Sequence, residues 1–309
     1  MNCRLLFVSI VSGSLLLALV TLGSAAMPTF SAWSTPVNLG TTINSAWIDA
    51  GAALSKNGLS LYLNSDRPGG FGNQDIWVSQ RADLHSPWGT PWNLGQVINT
   101  DALDSVPSFS RDEHWMFFNS TRPHGVGQLD IWVSYRANVH DDFAWTTPIN
   151  LGAGVNSASF DGGAWLVEND EARSPLLFFV STRPGGLGGF DIYVSAVANG
   201  SFGPASLVQE LNSAANDRRP SVRFDGLEVI FDSDRPGSAG ADLWMSSRES
   251  ASQPWSSPVN LGSTLNSEAD DIQPYFGADR QTLIFASNRS GGSGDHDLYV
   301  SFRTRVAGH

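Results

Sequence analysis

Residues 63–81 read LNSDRPGGFGNQDIWVSQR, and close variants of this stretch recur four more times. They are FNSTRPHGVGQLDIWVSYR at 118–136, FVSTRPGGLGGFDIYVSAV at 179–197, FDSDRPGSAGADLWMSSR at 231–248 and FASNRSGGSGDHDLYVSFR at 285–303. Each copy joins an arginine and a glycine-rich turn to an aspartate that opens an apolar run. Recurrence at a period of roughly 55 residues indicates a repeated structural unit rather than a single site.

Two further elements keep the same phase. The first reads WSTPVNLG at 33–40, WGTPWNLG at 88–95, WTTPINLG at 145–152 and WSSPVNLG at 255–262, with a degraded copy, FGPASLVQ, at 202–209. The second is an asparagine with an aspartate five residues later. Its five copies are Asn44/Asp49, Asn99/Asp104, Asn156/Asp161, Asn212/Asp217 and Asn266/Asp271.

Each unit shows short apolar strand signals separated by turn residues, with no helical periodicity. In the second unit we predict strands over 105–110, 115–119, 130–135 and 145–151. Four strands in about 50 residues is typical of a propeller blade. The predicted fold is therefore all-β, a five-bladed β-propeller of four-stranded antiparallel blades.

The order of the elements at the two ends predicts how the ring closes. The first element of the chain is a fourth-strand element at 33–40, and the last is a third-strand element at 297–303. We expect 33–40 to complete the last blade, because this closure pairs an otherwise free sheet edge.

The pattern of an arginine, a glycine loop and then D-[IL]-[WY]-V-S resembles the TolB-like, WD-type propeller repeat of bacterial envelope and secreted proteins. The resemblance covers almost the whole chain after its first segment. It implies a propeller scaffold, which in that family serves as a partner-binding surface, as a gate on peptidases or, in a few cases, as a carbohydrate lyase. The N-terminal domain of TolB and any appended hydrolase or peptidoglycan-binding domain have no counterpart in the pattern, and five units differ from the six of TolB.

The first 26 residues have the layout of a secretory signal peptide. Arg4 precedes an apolar run over 5–20, and small residues at 23–26 offer a cleavage site. We expect cleavage near Ala26, a single propeller domain over 27–309, and a secreted or periplasmic location. Cys3 is the only cysteine, so the mature chain would hold no disulfide.

The formal net charge of −12 is inconsistent with a nucleic-acid or anionic-lipid surface. The remaining partners are a protein or a glycan, and we expect no membrane insertion of the mature chain and a monomer. No cofactor is required by any motif. A cation such as calcium is an alternative ligand.

The repeated residues are expected to be architectural. The glycine loops and the Asn/Asp crossovers should share one rim, where the arginine can reach a carboxylate and the strand-opening aspartate can accept loop N–H groups. These residues are Arg67, Arg122, Arg183, Arg235 and Arg289, with Asp75, Asp130, Asp191, Asp242 and Asp297. The repeated aromatics Trp77, Trp132, Tyr193, Trp244 and Tyr299 are expected to pack between blades.

The crossover aspartates have two interpretations. They are either turn residues with an arginine partner, or a ring at the channel mouth that offers oxygen ligands to a cation or hydrogen bonds to sugar hydroxyls. They are Asp49, Asp104, Asp161, Asp217 and Asp271.

Residues that break the repeat are better candidates for function, because the architecture does not demand them. Trp47 lies in the first crossover, and Arg218 and Arg219 follow Asp217. An exposed tryptophan would suit a sugar ring, but large aromatics are mostly buried, so we expect Trp47 to be packed. Other departures are Asp295-His296 in the fifth glycine loop and the insertion around 168–171 on the opposite face.

The motifs of nucleophilic and metal-dependent hydrolases are absent from the sequence. There is no G-x-S-x-G elbow, no H-E-x-x-H and no ligand spacing among the histidines. A glycosidase needs only two carboxylates, but one must have a raised pKa, which a ring of arginine-paired aspartates does not predict. We therefore expect a non-catalytic binding scaffold. The alternative is a carbohydrate-active enzyme, a glycoside hydrolase or polysaccharide lyase, that uses carboxylates at the channel mouth.

Overall fold

The computed structural model describes residues 29–168, 174–198 and 200–306. The predicted signal peptide lies outside these residues. The described chain forms a five-bladed β-propeller, with four antiparallel strands in each blade, as the repeats predict. In these residues no helix is long and apolar enough to cross a membrane.

The strands follow chain order within each blade. Two short strands, β1 (Thr29–Phe30) and β2 (Val37–Asn38), come first. Blade I holds β3 (Asp49–Leu54), β4 (Ser60–Ser65), β5 (Asp75–Gln80) and β6 (Trp92–Asn93). Blade II holds β7 (Asp104–Phe109), β8 (Trp115–Ser120), β9 (Asp130–Tyr135) and β10 (Ile149–Asn150). Blade III holds β11 (Asp161–Val167), β12 (Leu176–Ser181), β13 (Asp191–Ala198) and β15 (Ser206–Leu207), with β14 (Ser201–Phe202) paired to the end of β13.

Blade IV holds β16 (Asp217–Val222), β17 (Glu228–Ser233), β18 (Asp242–Ser247) and β19 (Val259–Asn260). Blade V holds β20 (Asp271–Phe276), β21 (Thr282–Ser287) and β22 (Asp297–Phe302), and β2 is its fourth strand. The last strand, β23 (Arg305–Val306), pairs with β1.

The predicted closure of the ring is confirmed. In the β2–β22 ladder, Val37 pairs with Val300 and Asn38 with Tyr299, and Leu39 N donates to the Leu298 carbonyl at 3.0 Å. The first strands of neighbouring blades contact each other around a complete circle, including β20 against β3.

The fourth strands are shorter than the sequence predicts. Blade II pairs only Ile149 and Asn150 in the ladder, instead of the whole stretch over 145–151. Pro148 precedes this pair and has no N–H to donate. The Trp145 ring turns inward and is only 5 % exposed. The element therefore acts largely as a packing segment with a short ladder at its end.

Each first strand carries a β-bulge near the channel. The pairing register shifts after the second residue of every first strand, and the third residue has a positive φ. These third residues are Gly51, Val106, Gly163, Arg219 and Gln273. A bulge bends the strand and re-aims a side chain, so it points the side chains at these positions differently from a regular strand.

Candidate functional site

Each repeat arginine reaches the crossover aspartate of its own repeat. Arg122 Nη2 donates to Asp104 Oδ1 at 2.6 Å and to the Ile98 carbonyl at 2.5 Å, while Nε donates to Ser120 Oγ at 2.8 Å. The other four arginines make the same three kinds of contact. The ion pairs are Arg67–Asp49, Arg122–Asp104, Arg183–Asp161, Arg235–Asp217 and Arg289–Asp271.

The crossover aspartates are enclosed by protein. Each has an exposed fraction of 0 %, and the second oxygen of Asp104 accepts from Thr100 N and Oγ1 at 2.6 and 2.7 Å. This geometry favours the interpretation as a turn with an arginine partner. A role for these aspartates as ligands of a cation or a sugar stays a prediction. In the described ranges, no group of three or more His, Cys, Asp or Glu is placed to hold a metal ion.

The strand-opening aspartates hold the glycine loops in four blades. Asp75 accepts from Phe71 N at 2.5 Å and from Gly72 N at 3.1 Å, and Asp130, Asp191 and Asp297 accept from the equivalent N–H groups. In blade IV, where the loop reads RPGSAG, Asp242 keeps the contact from the Asn260 side chain at 2.8 Å, which the aspartates of blades I, II and V also receive from their own asparagines.

The repeated aromatics are buried beneath the arginines. Each guanidinium carbon lies 4.9 to 5.5 Å from the centre of the aromatic ring in its own blade, within the range of a cation–π contact. These rings are Trp77, Trp132, Tyr193, Trp244 and Tyr299.

A cavity of about 610 Å³ opens on the rim that carries the glycine loops and the crossovers. Its walls come from blades II to V, and the bulge residues Val106, Gly163, Arg219 and Gln273 reach it from the first strands. The structure thus places the predicted candidates Arg218 and Arg219 in one cavity. Its polar lining consists of Asn119, Arg218, Arg219, Asp232, Asp234, Asp270, Gln273 and His296.

Blade IV concentrates the charge of this cavity. Arg218 Nε donates to Asp232 Oδ2 at 2.9 Å, and Arg218 Nη2 lies 3.7 Å from Asp234 Oδ2. One guanidinium therefore joins two carboxylates that project from the same strand, β17, and the short connection after it. Within the lining, no other blade supplies an arginine.

Asp232 accepts a backbone hydrogen bond from the next blade, and this contact needs an oxygen acceptor but no charge. Its Oδ1 accepts from Gln273 N, at the bulge of the next blade, at 3.0 Å. Asn64 accepts from Val106 N at 3.1 Å and Asn119 from Gly163 N at 2.9 Å at the equivalent places in blades I and II. Since an amide oxygen is sufficient there, the carboxylate in blade IV is a departure that packing does not explain.

The two carboxylates have pKa values shifted in opposite directions. Burial raises the pKa of Asp232 above its ordinary value, despite the opposing charge of Arg218 and the hydrogen bond from Gln273 N. Partial burial also acts to raise the pKa of Asp234, but hydrogen bonds from the side chain and backbone of Asn216, with the charge of Arg218, outweigh it and lower the pKa. Neighbouring carboxylates whose pKa values are shifted apart are typical of a catalytic pair in which one is the acid and the other the base or nucleophile.

Arg219 lies across the channel. Its Nη2 donates to the carbonyls of Ala52 in blade I at 3.2 Å and Pro107 in blade II at 3.4 Å. The residue is 3 % exposed, its backbone φ is +46°, and burial lowers the pKa of the guanidinium to about 10. It remains a cation at neutral pH.

Deeper in the channel, Trp165 packs against Tyr275 with ring centres 5.6 Å apart.

The opposite end of the channel has a separate, smaller cavity of about 260 Å³. Hairpins between first and second strands contribute Lys56, Arg111, Glu113 and Arg280, and Trp165 and Tyr275 belong to its lining. Glu168, the described part of the predicted insertion, accepts from Arg111 N at 2.6 Å on this face. Residues 169–171 of the insertion lie outside the described residues.

The expectation that Trp47 is packed is wrong. The residue is 44 % exposed, although the backbone of its crossover lies against the fifth glycine loop. A Cβ placed on Gly294 would collide with the Trp47 carbonyl. His296, in contrast, lines the large cavity, and its Nε2 is buried without a hydrogen-bond partner in the described structure.

Sequence reasoning missed Asp232, Asp234, Asp270 and Gln273. The signal was present in the repeat: the position of Asp232 holds asparagine, asparagine, valine and alanine in blades I, II, III and V. Asp232 lies in a second strand, whereas the departures identified in the sequence lie in the crossovers, the glycine loops and one hairpin. Which departures face one cavity is decided by the circular arrangement of the blades.

No protein-family model matches this chain, and no curated protein sequence matches it. Solved structures do match it in fold. An endo-arabinase from Bacteroides thetaiotaomicron is 17 % identical, with a TM-score of 0.59 and coverage of 90 % of this chain and 99 % of that one. An alpha-L-arabinofuranosidase from Podospora anserina, in complex with cellotriose, is 14 % identical, with a TM-score of 0.56 and coverage of 90 % and 98 %.

A putative TolB from Agrobacterium tumefaciens is 11 % identical and covers 91 % of this chain and 100 % of that one. Its TM-score of 0.48 is too low to support the TolB-like resemblance, which stays unconfirmed. The five-bladed propeller itself is shown.

These neighbours contradict the expectation of a non-catalytic binding scaffold. Most of them are named as glycoside hydrolases, several of families 43 and 62. The scaffold expectation rested on the arginine-paired ring of aspartates and overlooked the unlike carboxylates of blade IV. At these identities the likeness shows the fold alone.

Proposed function

We propose that this chain is a carbohydrate-active enzyme of the glycoside hydrolase type, with its site in the 610 Å³ cavity. The observation that carries the proposal is the pair Asp232 and Asp234, which share Arg218 and have pKa values shifted in opposite directions. The propeller neighbours named as alpha-L-arabinofuranosidases and as an endo-arabinase support the class of reaction.

Asp232 is assigned as the general acid. Its raised pKa keeps a proton available at a pH where an ordinary aspartate is ionised. During cleavage it would donate this proton to the glycosidic oxygen as the bond from that oxygen to the anomeric carbon breaks. Arg218 then stabilises the aspartate that remains.

Asp234 is assigned as the partner carboxylate. It is ionised over a wider pH range than Asp232, and its side chain is 37 % exposed. It would either attack the anomeric carbon or remove a proton from the attacking water. In both cases water supplies the hydroxyl of the new reducing end and the proton that restores the acid.

The first experiment tests these roles by substitution. Asp232→Asn preserves the acceptor for Gln273 N, as asparagine does in blades I and II, and should lower turnover roughly 10²- to 10⁴-fold with little change in folding. Asp234→Asn should have a comparable effect. Release of reducing ends from arabinan and arabinoxylan measures turnover, and the configuration of the first product by NMR identifies the role of Asp234.

Asp66→Asn is the matched control. Asp66 occupies the position of Asp234 in blade I and accepts from Ile48 N at 2.8 Å, as Asp234 accepts from Asn216 N at 2.7 Å. It does not line the cavity, so its substitution should leave turnover unchanged. Full activity in Asp232→Asn, or equal losses in Asp66→Asn and Asp234→Asn, would refute the assignment.

The pH dependence follows from the same shifts. Turnover should increase as Asp234 ionises, below the ordinary aspartate pKa of 3.8, and decrease as Asp232 loses its proton above that value. The expected pH–rate profile is a bell with its limbs on either side of 3.8.

The remaining expectations from the sequence stay proposals. We propose a secreted or periplasmic monomer whose partner is a glycan, with residues 1–26 as a signal peptide and 27–309 as one domain. The TolB-like origin of the repeat rests on the motif alone.

A further inference from the structure

The cavity contains a buried cation without an anionic partner. Arg219 makes two hydrogen bonds, both from Nη2 to backbone carbonyls, while Nε and Nη1 are buried and have no partner in the described structure. In the same residues, no ion pair joins it to a carboxylate. Burial of a charge is costly unless the charge is paired and its donors are satisfied.

The nearest candidate counter-ion is already engaged. The negative charge of Asp232 acts to raise the pKa of Arg219. However, Asp232 Oδ2 already accepts from Arg218 and Oδ1 from Gln273 N. If Asp232 carries the proton of a general acid, the carboxylates left in the lining beside the two arginines are Asp234 and Asp270. The catalytic state would therefore leave Arg219 with even less compensation.

Arg219 is also held in a strained conformation. Its φ of +46° is uncommon for any residue except glycine, and glycine occupies this bulge position in blades I and III. Packing alone therefore does not require an arginine here. The positive φ itself belongs to the bulge that all five blades share, so what distinguishes blade IV at this position is the arginine side chain.

Two other buried atoms of the cavity have no partner in the described structure. These are Gln273 Oε1, which is an acceptor, and His296 Nε2. Gln273 lies at the same bulge position as Arg219, in the neighbouring blade. The cavity thus combines cationic donors with an acceptor, and the latter suits the hydroxyl of a sugar.

We propose that Arg219 binds the carboxylate of a sugar acid, so that the glycan recognised by this cavity contains a uronate. A carboxylate would accept charge-assisted hydrogen bonds from the free N–H groups and neutralise the buried guanidinium. This inference relies on the proposed function for the site and the sugar, but it concerns recognition and not the bond-breaking step.

The experiment compares ligands that differ in a single group. Methyl β-D-glucuronide carries a carboxylate where methyl β-D-glucoside carries a hydroxymethyl, and acetate is a carboxylate without a sugar. Calorimetry on the whole chain should show the glucuronide binding roughly ten- to a hundredfold more tightly than the glucoside. Acetate should not reproduce this affinity.

Three variants separate recognition from folding. Arg219→Gln places at this bulge the residue that blade V already has at Gln273, and should remove the preference for the uronide. Arg219→Lys retains a cation and should retain part of the preference. Arg280→Gln is the control: it makes the same chemical change at another residue of positive φ, +64°, in the cavity at the opposite end.

The outcomes distinguish this inference from the hydrolase proposal. Equal binding of uronide and glucoside, or a preference that survives Arg219→Gln, would overturn the inference even if neutral glycans are hydrolysed. A preference for the uronide that Arg219→Gln removes, without hydrolysis of any glycan, would support the inference and refute the hydrolase proposal. A lower unfolding midpoint in Arg219→Gln with an unchanged preference would overturn the inference in favour of a structural role.

Discussion

Blades I and IV are built on the same repeat but differ at the positions that face the channel. Blade I has Ala50, Gly51 and Asn64 where blade IV has Arg218, Arg219 and Asp232. Both blades retain the bulge, the arginine–aspartate ion pair and the acceptor for the next blade's bulge N–H. The blade therefore tolerates charged residues beside the channel as long as the bulge, the ion pair and this acceptor are kept. Functional residues can thus differ in one blade while its strand structure stays the same.

The largest effect on stability should come from a feature that the two blades share. Asp49→Ala and Asp217→Ala each leave a mostly buried arginine without its carboxylate, which should reduce the free energy of unfolding by about 3–5 kcal/mol. Denaturant unfolding measures both losses, which should agree within about 1 kcal/mol.

Similar losses in the two blades would confirm that the crossover ring is architectural. Loss of glycan binding in either variant at an unchanged unfolding midpoint would instead support the alternative interpretation, in which the crossover aspartates bind a ligand at the channel mouth. Activity should be measured only at temperatures where each variant is folded.

A smaller effect is expected when the residues at the position of Asp232 are exchanged. Asn64→Asp buries a carboxylate in a blade that has alanine, and not arginine, at the position of Arg218, and should cost about 1–3 kcal/mol at neutral pH. Asp232→Asn should cost less, because the acceptor for Gln273 N remains. Equal costs would mean that the surroundings of blade IV are not specialised for a carboxylate.

The pH dependence of stability sharpens this difference. Because the folded-state pKa of Asp232 is raised, the folded protein holds a proton that the unfolded chain releases. The contribution of protonated Asp232 to the free energy of unfolding is full below the unfolded pKa of about 3.8 and declines as pH increases through the folded pKa. Asp232→Asn should lack this decline, which unfolding at a series of pH values would detect.

The smallest effect on stability is expected at Trp47. With 44 % of its side chain exposed, Trp47→Ala should change the free energy of unfolding by about 0.5 kcal/mol or less. The affinity of the variant for a polymeric glycan should fall if the indole stacks on a sugar ring, and Phe71→Ala, at an exposed aromatic of the first glycine loop, is the comparison. A loss of more than about 2 kcal/mol would show that Trp47 is structural after all.

The fold could be predicted because the same pattern of strand and turn residues recurs five times in the sequence. In blade II the third strand begins at Asp130, as predicted, and the first strand begins at Asp104, one residue before the predicted start at 105. The fourth strand was predicted less well, since proline and an inward tryptophan restrict its ladder to two residues.

The candidate site was predicted only in part. Arg218 and Arg219 were identified as departures from the repeat, and both line the cavity. Asp232 lies 14 residues from Arg218 along the chain, and its partner Gln273 lies 41 residues further on, in another blade. Such contacts depend on strand pairing and on the order of blades around the axis.

The sequence by itself determined the repeat unit, the number of blades and the pairing of residues 33–40 with the last blade, because each depends on which elements recur and on their order along the chain. Only the tertiary structure decided that the crossover aspartates turn into the protein while Asp232 and Asp234 meet at one arginine. The reason is geometric. The pairing of β16 with β17 brings Arg218 and Asp232 of blade IV together, and most of the rest of the cavity lining comes from other blades. Burial and hydrogen bonding then set how the pKa values of Asp232 and Asp234 shift.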